Sequence, residues 1–122
     1  MPIGLLLCDD LMWISRVSST AQALGHKVKS VRSLEKLVDL ASKDGPACVI
    51  LDLDVDGIAA GEVVERLATL SHAIRFVAFG AHVDVATLQN ARAAGFDAVL
   101  TRGQMAANMH DLLQEWLTSP PD

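Results

Sequence analysis

Asp9 and Asp10 close the apolar run Ile3-Gly4-Leu5-Leu6-Leu7-Cys8, and Asp52, two residues ahead of Asp54, closes the run Ala47-Cys48-Val49-Ile50-Leu51. Short apolar runs of this kind read as buried strands. Strands of a parallel sheet end at one edge, where open α/β sheets bind ligands, so carboxylates placed there converge on one acidic pocket. Clustered anions repel one another unless a cation neutralises them, and an all-oxygen donor set suits Mg²⁺ or a similarly hard ion. A strand-end carboxylate next to such an ion can attack phosphorus and form an aspartyl phosphate; in this reading Asp52 is the nucleophile and Asp9 and Asp10 hold the metal.

The rest of the chain supplies the elements that would position these acids. Short apolar runs alternate five times with longer amphipathic stretches, which predicts a parallel sheet covered by helices on both faces. Strands are expected over residues 3–8, 27–31, 47–51, 75–79 and 98–101. The first helix is expected over 11–24, with Ile14, Val17, Ala21 and Leu24 on one face and Gly25 ending it. Ser33 reads as the N-cap of the second helix, whose Leu34, Leu37, Val38 and Ala41 share a face, and Asp44-Gly45-Pro46 reads as the turn that follows. Helices three and four are expected over 61–70 and 85–94. Helix five should begin near Gln104, turn Met105, Met109, Leu112, Leu113, Trp116 and Leu117 towards the core, and stop at Ser119-Pro120-Pro121. The reading is one domain over residues 1–118 with a short tail at 119–122.

Composition narrows the function. The chain has 122 residues, a formal charge of −5 and a pI near 5.2, without a Lys/Arg cluster, which argues against nucleic acid as a partner. Cys8 and Cys48 sit inside apolar runs and read as reduced packing thiols. No apolar stretch reaches about eighteen residues, and the start does not resemble a signal peptide, so a soluble, cytoplasmic protein without a membrane partner is expected. His26, His72, His82 and His110 lack metal-ligand spacing. Trp13, one helical turn past the paired acids, reads as a packing or surface residue that could report on metal binding.

The segment Asp52-Leu53-Asp54-Val55-Asp56-Gly57 admits four readings. As a calcium loop it begins correctly, but Val63 stands where the bidentate Glu belongs and a strand precedes it. A haloacid-dehalogenase-like phosphatase would place its nucleophile and its acid/base as Asp52 and Asp54 are placed; it would also need a later hydroxyl, where Phe79-Gly80-Ala81 has none, and a late acidic pair. Asp54 and Asp56 could simply cap the third helix, as one of Asp9 and Asp10 could cap the first. The fourth reading is the phosphorus nucleophile.

Taken together, Leu7-Cys8-Asp9-Asp10, Val49-Ile50-Leu51-Asp52-Leu53, Gly95-Phe96-Asp97-Ala98-Val99-Leu100 and the helix–strand order resemble the receiver domain of bacterial two-component response regulators. The resemblance implies a doubly wound, flavodoxin-like α/β fold with strand order 2-1-3-4-5, and a stand-alone signalling module rather than an enzyme. It implies Asp52 as phosphoacceptor, Mg²⁺ bound directly by Asp10 and Asp52 and through water by Asp9, and the backbone carbonyl of Asp54 as a further ligand. It implies a histidine kinase or phosphotransfer protein upstream and a downstream protein target on the face of helix 4, strand 5 and helix 5; a homodimer stays open. The sequence departs from the family at several points. Gly80 stands where a Ser or Thr hydroxyl is expected, Arg102 where a Lys contacts the phosphoryl group, Gly103 where a Pro follows, Val99 where an aromatic switch residue sits, and Asp56 in place of a loop Pro. The alternative these departures raise is a pseudo-receiver that binds its partner whatever its phosphorylation state, through Val83, Val85 and the exposed sides of helices four and five.

Overall fold

A computed structural model describes residues 3–70 and 73–118, so His72 and the Ser119-Pro120-Pro121 stop lie outside the described residues. Strands and helices alternate as β1 (Ile3–Leu7), α1 (Leu11–Ala23), β2 (Lys27–Val31), α2 (Leu34–Asp44), β3 (Cys48–Asp52), α3 (Ala60–Leu67), β4 (Arg75–Gly80), α4 (Val85–Ala93), β5 (Ala98–Thr101) and α5 (Arg102–Thr118). The sheet is parallel with order β2-β1-β3-β4-β5, the doubly wound arrangement expected from the sequence.

The elements form where apolar periodicity and end signals agree. Ser33 caps α2 by accepting from Lys36 N–H, and Gly45 ends that helix in the left-handed conformation at φ 57°. Several boundaries differ from the sequence reading. Cys8 falls just past β1, while β3 includes Asp52, which pairs with Phe79, and β4 runs on to Gly80. α3 starts at Ala60, where Glu62 accepts from the Ala59 backbone N–H, and ends at Leu67 rather than residue 70. α5 starts at Arg102 rather than near Gln104, because Thr101 and Gln104 bond reciprocally. Thr101 Oγ1 accepts from Gln104 N–H at 3.1 Å, and Gln104 Oε1 accepts from Thr101 N–H at 2.9 Å. This capping box fixes the first turn.

The sheet's alternation splits the core in two. Leu6, Cys48, Ile50, Val77 and Phe79 face α1 and α5, where Trp13, Val17, Met105, Leu113 and Trp116 are buried. Leu5, Leu7, Val49, Leu51 and Ala78 face the other way, onto Leu37 and Ala41 of α2 and Val63 and Leu67 of α3. On α1 the buried stripe is Trp13, Val17 and Ala21, with Ile14 and Leu24 at its margin, so Trp13 is a core residue. Asp97 accepts from Phe76 N–H at 2.8 Å and donates its own N–H to Phe76 O, tying the chain to β4 just before β5.

Candidate functional site

Asp52 ends β3 on the α1/α5 side of the sheet, and it is the one buried charged residue among the described residues, at 1% exposure. Burying a carboxylate demands compensation. Three groups supply it. Oδ1 accepts from Arg102 Nη2 at 2.9 Å and from Asp54 N–H at 3.0 Å, while Oδ2 accepts from the Cys8 thiol at 3.2 Å. Arg102 Nη2 also reaches Asp54 Oδ2 at 2.7 Å, so one nitrogen bridges two carboxylates. The guanidinium lies over the Phe79 ring, 5.9 Å from its centroid, and Phe79 in turn packs on Trp13 at 4.8 Å.

The expected acids are therefore positioned unequally. Asp10 is the N-cap of α1, its Oδ1 accepting from Met12 N–H at 2.9 Å and Trp13 N–H at 3.5 Å, and Asp9 is exposed. Asp54 is engaged through its carboxylate, by Arg102, and through its N–H, by Asp52. Among the described residues no group of three or more His, Cys, Asp and Glu side chains is assembled around a metal position. The donor chemistry of Asp9, Asp10, Asp52 and the Asp54 carbonyl nevertheless suits a hard cation. The neutralising charge in this structure is Arg102.

Two contributors escaped the sequence reading. Thr101-Arg102-Gly103-Gln104 carries the capping-box signature that aims Arg102 from the first turn of α5, and it could have been found. Cys8 as a donor to Asp52 could not, since it depends on the neighbouring ends of β1 and β3. Burial, and after it the bond to Asp52, pushes the Cys8 thiol up to about 12 from an ordinary value of 9.0. Burial raises Cys48 as well. A folded-state value above the unfolded one means that the stabilisation is complete below about pH 9 and is lost as pH rises through about 12. Urea denaturation midpoints should accordingly fall across that window, and Cys8→Ala should flatten part of the fall; an unchanged slope would place the thiol's ionisation outside the unfolding equilibrium.

Comparison with known proteins decides what this arrangement belongs to. The family model for the response regulator receiver domain matches residues 5–114. The chain belongs to the response regulator receiver family. Solved structures agree in fold. The receiver domain of a sensor histidine kinase from Pseudomonas aeruginosa, with magnesium in its active-site cleft, superposes with a TM-score of 0.80 at 18% identity, covering 97% of this chain and 98% of that one. A CheY-like receiver domain from Methylobacillus flagellatus gives 0.77 at 21% identity, with 95% and 98% covered. A response regulator receiver protein from Burkholderia phymatum gives 0.72 at 25% identity, with 93% and 96% covered. No curated protein sequence matches.

Within this receiver the departures from the family have structural counterparts. A Cβ at Gly80 would lie 3.2 Å from both Cβ and Cδ1 of Leu53 and 3.6 Å from Leu88 Cδ2, so a hydroxyl-bearing side chain there fits only if Leu53 gives way by a few tenths of an ångström. Val99 is half-buried on β5 against the α2/α3 core. Gly103 lies in the first turn of α5. Val83 and Val85 are exposed at 76% and 55%, on the loop after β4 and at the start of α4. No helix among the described residues is long and apolar enough to cross a membrane.

Proposed function

We propose that this receiver accepts a phosphoryl group on Asp52 in two-component signalling, slowly and with a damped conformational response. The observation that supports it is the Asp52 carboxylate at the end of β3, facing Arg102 of α5 and the Asp54 backbone N–H. A carboxylate oxygen of Asp52 attacks the phosphorus of a phosphohistidine or phosphoramidate; the P–N bond breaks and the leaving nitrogen takes a proton, leaving an acyl phosphate. Arg102 and the Asp54 N–H then face the added negative charge with donors already in place. Asp9, Asp10, Asp52 and the Asp54 carbonyl are the groups that would hold Mg²⁺, which when bound offsets phosphoryl charge. Damping follows from Gly80, which offers no hydroxyl, and Val99, which offers no aromatic ring. The phosphodonor would be a histidine kinase or phosphotransfer protein, and the target a protein at the α4/β5/α5 face, in the cytoplasm.

The exposed Val83 and Val85 and the self-neutralised acids favour a second reading, a module that binds its partner irrespective of phosphorylation. Intact-mass spectrometry with phosphoramidate and Mg²⁺ separates the two. The phosphoacceptor reading expects one phosphoryl mass increment in the native chain and none in Asp52→Asn. Absence of the increment in both, with unchanged partner binding by Asp52→Asn, would give the second reading.

A further inference from the structure

We infer that Arg102 is the resting counter-cation of the acidic cleft, and that its bridge between Asp52 and Asp54 excludes a divalent cation until the guanidinium swings away. The inference rests on the reading that these acids can bind Mg²⁺. Nη2 donates a hydrogen bond to Asp52 Oδ1 at 2.9 Å, and the same nitrogen forms an ion pair with Asp54 Oδ2 at 2.7 Å. A metal ion at Asp52 would meet this positive charge and compete for the lone pair its hydrogen occupies. Both acceptor positions of Asp52 Oδ1 are taken, by Arg102 and Asp54 N–H, and one on Oδ2 is taken by Cys8. A guanidinium cannot shed its proton to make room for a second cation, so the only way out is rotation.

Two contacts independent of the carboxylates hold Arg102 inward. The Thr101–Gln104 capping box fixes the turn that carries it, and the Phe79 face supports the guanidinium. Its side chain is still 26% exposed, which leaves a path to solvent. Displacement should be visible at a distance. Trp13 packs on the Phe79 ring that supports Arg102, and its backbone N–H donates to Asp10, so the indole sits one ring away from the guanidinium on a helix whose first turn Asp10 caps.

The test compares the full chain with Arg102→Gln by calorimetric Mg²⁺ titration, with Trp13 fluorescence followed in a Trp116→Phe background. Removing one half-buried positive charge in contact with Asp52 should tighten Mg²⁺ binding about tenfold or more. Without metal, Arg102→Gln should melt several degrees lower than the native chain, and millimolar Mg²⁺ should restore most of the loss while hardly moving the native melting temperature. Equal Mg²⁺ affinity in the two proteins would overturn the exclusion. Absence of Mg²⁺ binding in both would overturn the metal reading and the inference with it. A measurement on the native chain covers the case in which the variant does not fold. The Arg102 guanidinium hydrogens should give a protected NMR signal without metal that disappears as Mg²⁺ saturates; a signal that persists at saturation overturns the proposal.

Discussion

Phe79→Ala is expected to lower the unfolding free energy by about 3–5 kcal/mol, the range for truncating a well-packed aromatic side chain. Phe79 is 1% exposed in the middle of the α1/α5 core, paired in register with Asp52 on the neighbouring strand. Its ring meets Trp13 at 4.8 Å on one side and the Arg102 guanidinium at 5.9 Å on another. Truncation therefore removes buried area, an aromatic pair and the support of a buried carboxylate's counter-ion together. A domain of this size has about 5–15 kcal/mol to lose, so the variant should stand near the edge of folding. Urea denaturation followed by tryptophan emission measures the loss, and the native emission of Trp13 should shift to the red as water enters beside the indole. Phe79→Leu, which keeps most of the volume, should cost about 1 kcal/mol. A loss under about 1 kcal/mol for the alanine variant would mean that the core closes over the gap, contrary to close packing.

The fold was legible because its signals are local. Runs such as Leu5-Leu6-Leu7 and Val49-Ile50-Leu51 are buried on both faces, and Ser33 and Gly45 mark the ends of α2 as a cap and a left-handed terminator do in any protein. The strand order was legible only through family resemblance, since periodicity says nothing about which strands neighbour one another. Asp52 was legible by its place after an apolar run. Most of what it touches was not, because Cys8 and Arg102 lie 44 and 50 residues away in the chain and meet it through tertiary proximity, Asp54 alone being local. Asp10 illustrates the ambiguity of acids after strands. Its carboxylate caps α1, the structural use weighed against metal binding, and capping leaves its chemistry available only in part.

Gly80 carries the second large effect, and its meaning changed most between sequence and structure. From sequence it reads as a lost hydroxyl, which one substitution ought to restore. In the structure position 80 faces the α3/α4 side, where Leu53 Cβ and Cδ1 each stand 3.2 Å from where a Cβ would be. Leu53 Cδ1 can rotate away; its Cβ cannot, because the Leu53 N–H is bonded to Phe79 O at 2.9 Å and fixes the backbone there. Gly80→Thr must push that backbone, and the next residue is Asp54, whose N–H and carboxylate hold Asp52 and Arg102. The expected cost is about 1–3 kcal/mol, as for other additions to a packed core. Leu53→Gly in the same chain removes both the Cβ and the Cδ1 contact, so the double variant should be more stable than the sum of the two single losses predicts, by about 1 kcal/mol. Strictly additive losses in urea denaturation would mean that the two positions do not compete for space. If they do compete, residues 53 and 80 are coupled in this backbone, and restoring a hydroxyl at the end of β4 carries a packing cost at the acceptor loop.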